Sequence, residues 1–251
     1  MASLLPGLVA AVIFTLAFEP ISQPQGYHLF ADQRIVLQIP HAGDVLTNLA
    51  LIIAGAWGLW FVSHPPLYRS AFVDSLESRN YWWLFIGVLL TGFGSAWYHL
   101  DPDNESLMWD RLPMTLVFMG LLAAMISERV SLSLGRALLG PLLLAGVASV
   151  LWWIWTEHQG HGDLRWYLIV QFYPVLTMPL LLLFLPAPYT HGGYYWGVLA
   201  FYVIAKLMEI LDHQIFDLTS GIVSGHNLKH LFAALAIVLL VIMLRLRKIR
   251  A

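Results

Sequence analysis

The chain has 251 residues, of which 59% are hydrophobic and only 11% charged, with a formal net charge of −2. A soluble domain carries about 25% charged residues and could not hide so much apolar side chain in one core, whereas lipid is the solvent for the outside of a membrane protein. The near-neutral charge leaves no basic stripe for phosphates and excludes nucleic acid as a partner; the absence of cysteine excludes disulfides and thiolate-bound metal, leaving ten histidines as soft ligands.

In chain order, residues 4–18 form a short apolar run with Pro6 near its start. The run has neither a basic leading region nor a small-x-small cleavage site, and it reads as a retained first helix rather than a signal peptide. Residues 19–44, rich in Pro, Gln, Asp and His, read as a loop lying at the membrane interface. The second span, 45–63, stops at His64-Pro65-Pro66, which terminates a helix. A polar connection with Arg69, Asp74, Glu77 and Arg79 leads to the third span, 81–100, which ends on Ser95 and His99. The loop Asp101-Pro102-Asp103-Asn104-Glu105 precedes the fourth span, 110–127, and the fifth, 135–156, closes on Trp152, Trp153 and Trp155 at an interface. A polar loop with His158 and His161 follows. The sixth span, 164–185, contains Pro174 and Pro179, expected to bend it and shape a cavity. The seventh, 194–216, contains Lys206, Glu209 and Asp212, and the eighth, 226–244, runs into Arg245-Leu246-Arg247-Lys248-Ile249-Arg250. Each long run approaches the roughly 20 residues that a helix needs to cross hydrocarbon. The predicted fold is all-α: one integral membrane domain over 1–251, a polytopic bundle with a seven-helix core at 45–245 and an extra N-terminal span within 1–44.

Charge sets the expected orientation. With eight spans both termini share a side, where the C-terminal tail and the loops carrying Arg69, Arg79, Arg129 and Arg136 concentrate the cations. The opposite loops collect Glu19, Asp32, Asp44, Asp101, Asp103, Glu105, Glu157, Asp163 and Asp217. The positive-inside rule then makes both termini cytoplasmic and puts His99 and His226 together near the outer face.

Ionisable side chains in spans are expensive and mark function. Ser95 and His99 lie four positions apart, on one face of a helix, and His226 and His230 repeat that spacing. Two imidazoles at i and i+4 reach one cation, and a third from a facing helix completes three of four tetrahedral positions, the fourth being left for water. Asp110, on the same side, is placed to take a proton from that water, and Ser95 to hold a ligand imidazole or to donate to a developing oxyanion. Lys206 and Glu209 read as a buried pair, and Asp212 as a group that could orient a histidine. Lys229 reads as pointing away from the two histidines and reaching for the interface. His28, His41, His64 and His191 read as loop residues. Two other functions fit the same residues: an intramembrane serine protease using Ser95 with His226 or His230, and a non-enzymatic receptor or ion transporter with a structural or regulatory metal.

Ser95-x-x-x-His99, Asp110 eleven positions later and His226-x-x-x-His230 in the last span together resemble the pattern of the alkaline ceramidase family. That family belongs to a superfamily with the adiponectin and progestin receptors and the haemolysin III-like proteins. The similarity covers roughly residues 40–245, with Thr47-Asn48 matching an early Ser-Asn of the family. The resemblance implies that His99, His226 and His230 bind Zn2+, that Ser95 and Asp110 flank the metal-bound water, and that a lipid amide is hydrolysed to a fatty acid and an amine such as a sphingoid base. Membrane lipids and a ceramide-like substrate are the implied partners. The acidic calcium-binding segment of animal members is not matched, since His41 stands where an acidic ligand is expected, so calcium is not carried over. The additional N-terminal span resembles a bacterial member, which implies an inner-membrane location.

Overall fold

The computed structural model describes residues 13–15, 17–68 and 71–250, and most of the expected first span at 4–18 lies outside them. The described residues fold as the expected all-α polytopic bundle. Helix α1 (Ala42–Val62) starts after His41, whose φ of 44° turns the chain, and ends before His64-Pro65-Pro66. Asp74 caps the short turn Ser75–Glu77 that leads into α2 (Ser78–Leu100). Helix α3 (Asn104–Arg129) opens on a capping box: the Asp103 carboxylate accepts from the Ser106 backbone N–H at 2.6 Å, and the Ser106 hydroxyl accepts from the Asp103 N–H at 3.0 Å. This cap starts α3 earlier than the fourth span predicted at 110–127. Asp110 therefore sits in the second turn, past the first-turn region where a helix dipole favours an anion.

Helices α4 (Leu132–His158) and α5 (Arg165–Phe184) follow. The span predicted at 194–216 is not one helix. It breaks at Leu211 into α6 (Tyr194–Ile210) and α7 (Asp212–Leu218), bent by 78°. The Asp212 carboxylate at this break accepts the backbone N–H groups of Ala31 and His226, at 2.9 and 2.7 Å, which draws the chain aside. Helix α8 (Gly225–Leu246) opens on a capping box between Ser224 and Asn227. Among the described residues six helices are long and apolar enough to cross a membrane, and the bent pair makes a seventh if it counts as one span.

The helices pack around an interior: α2 lies against α1 and α3, α3 against α4 and α5, and α8 against α6 and α1. One end of the bundle is closed by Arg247, one of the cations counted in the C-terminal tail. Its guanidinium is buried, pairs with the Glu128 carboxylate, donates to the Ala71 carbonyl at 2.6 Å and stacks over Tyr189 at 4.2 Å. Burial without pairing would depress a guanidinium's proton affinity, but Glu128 more than offsets it, so Arg247 stays charged.

The opposite end gathers the N-termini of α1, α3 and α8 and the C-terminus of α2. Of residues 19–44, expected as an interfacial loop, 42–44 already belong to α1, and 19–41 fold across this end as a strap with Gln23, Phe30 and Asp32 buried. Its fixings are polar. Arg111 donates to Gln23 Oε1 (2.6 Å), the Tyr27 hydroxyl to Glu209 Oε1 (3.0 Å), and His28 bridges the Tyr98 hydroxyl and Asn104 Oδ1 (2.8 and 2.9 Å). Arg34 Nη2 lies 2.6 Å from the buried carboxylate of Asp32.

Candidate metal centre

Each sequence-nominated ligand reaches the site from a different constraint. His99 comes from the last turn of α2, and its carbonyl accepts the Nδ1–H of His41 at 2.9 Å. His226 and His230 come from the first two turns of α8, aligned by the i, i+4 repeat. The rings lie 4.7 to 5.2 Å apart between centroids, and one nitrogen from each falls within 4.8 Å of the other two. All three are buried, at 0, 2 and 2% exposure. That burial matters because water cannot satisfy them, and neither ring nitrogen of His99 has a hydrogen-bond partner among the described residues. An orphaned buried imidazole facing two others is the donor set of a metal site, so the cluster can hold a metal ion.

Thr47 in α1 supplies the outer support. Its hydroxyl has one hydrogen, directed to the Gly43 carbonyl at 2.7 Å, so at 2.9 Å from His230 Nδ1 it accepts the imidazole N–H. That assignment leaves His230 Nε2 with a lone pair facing the centre, where Ser95 Oγ stands 3.5 Å away. His41 and Thr47 thus tie α2 and α8 to the start of α1.

Ser95 and Asp110 also meet there. Helices α2 and α3 approach so closely at Gly94 that a Cβ would lie 2.0 Å from the Trp109 carbonyl oxygen, and this brings Ser95 and Asp110 together at the wall of one cavity. Gly225 serves α8 in the same way: a Cβ would come within 2.2 Å of the Met208 carbonyl oxygen. All five nominated residues are therefore brought together.

Two groups at the centre escape the sequence reading. Lys229 does not reach for the interface. Its Nζ lies 3.1 Å from His226 Nε2 and 2.9 Å from Glu209 Oε1, and Glu209 also pairs with Lys206, as expected for that couple. The signal was present in the spacing, because position i+3 from His226 shares its face. Phe30 of the strap is the second, with its ring 4.5 Å from that of His99 and 4.6 Å from that of His226. No periodicity marks a lone Phe in a loop. Asp212 binds the backbone of His226, not its ring. In the strap, burial raises the affinity of the Asp32 carboxyl for its proton, but the hydrogen bonds and charge of Arg34 prevail and hold it below the usual range. Burial, with the Glu209 carboxylate next in weight, pushes the Tyr27 phenol well above its usual range, so Tyr27 remains a donor.

From this polar end an apolar cavity of ≈ 160 Å³ leads into the bundle. Ser95, Asp110, Lys229 and His230 form its head; Val88, Leu121, Met178, Val198 and Ile237 are among the apolar side chains that continue it. From His230 to Ile237 it descends about 10 Å, at 1.5 Å per helical residue. The strap covers the centre from the other side. No protein-family model and no curated protein matches the chain, so the chemistry of the centre is read from its own side chains.

Proposed function

We propose that the chain is a zinc-dependent intramembrane hydrolase that cleaves the amide bond of a ceramide-like lipid. The observation that carries this reading is the juxtaposition of three buried imidazoles with Asp110 and Ser95 at the head of an apolar cavity. The resemblance of these five positions to the alkaline ceramidase pattern supports it. His99, His226 and His230 would hold the zinc, which when bound acts as a Lewis acid and brings the pKa of water to about 7. Three neutral nitrogens, one wholly unpartnered, suit that ion.

The chain's own groups then divide the work. The apolar walls take the acyl chain and align its carbonyl with the cavity head. Asp110 accepts the proton of the attacking water as general base. Ser95, beside that carboxylate at the cavity head, orients it, and Thr47 holds His230 in the tautomer that offers Nε2. Phe30 and the strap keep bulk water from the centre, which strengthens every charge interaction within it. The positive-inside distribution supports cytoplasmic termini and a centre near the outer face, as in a bacterial inner membrane.

The test is metal analysis of the purified chain together with a panel of lipid amides varied in acyl length and head group. One zinc per chain and hydrolysis lost on chelation and in His99→Ala, His226→Ala and His230→Ala are expected. A zinc-free protein whose folding and activity survive all three substitutions overturns the proposal. Zinc without hydrolysis would favour a receptor or transporter. The 3.5 Å approach of Ser95 Oγ to His230 Nε2 favours a second reading, a serine hydrolase; labelling of Ser95 by a fluorophosphonate, with indifference to chelators, would select it.

A further inference from the structure

Lys229 is a partly buried charge that the reaction above leaves unused, and its donors can be counted. An ammonium has three N–H groups and no acceptor. One faces Glu209 Oε1 at 2.9 Å and one His226 Nε2 at 3.1 Å, and no third partner exists among the described residues. The side chain lines the cavity beside Ser95, Asp110 and His230. Nor is Lys229 needed merely to neutralise Glu209, which is already held by Lys206 and by the Tyr27 hydroxyl. Keeping an ammonium at the head of an apolar cavity is costly unless its remaining donor is used.

We propose that the free N–H of Lys229 binds the acyl oxygen of a long-chain ligand lying in the cavity. Resting on the lipid-amide reading, this oxygen is the carbonyl of the amide and, after cleavage, an oxygen of the fatty acid carboxylate. The balance is simple. The oxygen of water bonds to the carbonyl carbon, and the C–N bond breaks with its electron pair leaving on nitrogen. The two hydrogens of water end on that nitrogen, so amide and water become a carboxylate and an ammonium. Negative charge grows on the acyl oxygen as water adds, and a preplaced cationic donor stabilises it more than it stabilises the neutral carbonyl. Lys229 thereby selects ligands that carry an oxygen acceptor at the end of the chain.

The assay that tests this needs no turnover. The full chain, purified in detergent, is titrated with cis-parinaric acid, a fluorescent long-chain carboxylate, before and after chelation. The wild type should bind it in both states, Lys229→Met about 10–100-fold more weakly, and Lys229→Arg within about threefold of wild type. Lys206→Met takes the same charge from Glu209 without touching the cavity and should leave binding unchanged. The methyl ester should bind wild type and Lys229→Met more nearly alike than the acid does. Wild-type affinity in a folded Lys229→Met, no binding by the wild type, or binding abolished by chelation alone each overturns the assignment. Should Lys229→Met misfold, the arginine variant and the acid-to-ester ratio in the wild type decide. Lys229-dependent binding in a protein that cleaves no lipid amide upholds the assignment while sinking the hydrolase reading. Hydrolysis with Lys229-indifferent binding does the reverse.

Discussion

Replacing Thr47 with valine keeps the side-chain shape and removes one atom's worth of chemistry from the metal centre. In the wild type the Thr47 hydroxyl accepts the Nδ1–H of His230 at 2.9 Å, and His230 is buried, so water cannot take its place. Two independent routes give the expected size. Removing the group that orients a ligand imidazole costs about 10–100-fold in metal affinity. Leaving a buried N–H without an acceptor costs about 1–3 kcal/mol, which at about 1.4 kcal/mol per factor of ten is roughly 5–150-fold. The ranges overlap, so on the proposed zinc reading Thr47→Val should bind the ion about 10–100-fold more weakly, and Thr47→Ser should recover most of the loss. Competition between the protein and a zinc-binding dye measures this, with circular dichroism confirming that the helices are intact. A folded Thr47→Val that binds zinc as tightly as the wild type would refute both the tautomer assignment and the part played by α1.

Three further outcomes are expected. Gly94→Ala should lower stability by about 1–3 kcal/mol in thermal unfolding, because the added Cβ meets the Trp109 backbone at 2.0 Å, where no side chain can yield; a wild-type melting curve would mean that α2 and α3 lie farther apart. Arg247→Met should cost about 3–5 kcal/mol, since it strands the Glu128 carboxylate inside the bundle's other end, and a double variant with Glu128→Gln should regain part of it. Because Asp32 has a depressed pKa when folded, its stabilisation of the strap is fully present above the unfolded value of 3.8 and disappears as pH falls through the lower folded value. Protection from hydrogen exchange in residues 25–34, taken relative to the intrinsic rate at each pH, should therefore be unchanged between pH 5 and 8, and Asp32→Asn should loosen the strap throughout that window; equal protection in wild type and variant at neutral pH would contradict it.

The legible part of this molecule was periodic. Apolar runs of near-constant length announced the helices, and His226 and His230 announced a shared face because a helix repeats every 3.6 residues. The placing of Ser95 and His99 toward the end of their span followed from the helix end. What escaped depended on relations that no single segment contains. The break at Leu211 arises from amides of the strap and of α8 that claim the Asp212 carboxylate, although the run 194–216 is apolar enough for one helix. Phe30 is one aromatic ring in an irregular segment, and its place over His99 and His226 was fixed by partners on α2, α3, α6 and α7. Lys229 is different: its spacing was informative, but the general habit of lysine to reach for water outweighed it. An early carboxylate capping α3 likewise moved Asp110 into the helix body.

The strap also has a consequence for how the protein is made. Its residues leave the ribosome before every helix they fasten to, and two of the fastenings reach across most of the chain: Tyr27 to Glu209 is separated by 182 positions and Ala31 to Asp212 by 181. Until α6, α7 and α8 have been inserted, Tyr27 and the backbone of Ala31 lack their partners, and the centre has only the His99 third of its ligands. Closure over the histidines is thus coupled to completion of synthesis, and a nascent chain truncated before α8 should neither retain a metal ion nor protect the strap from protease. The segment is synthesised first and secured last.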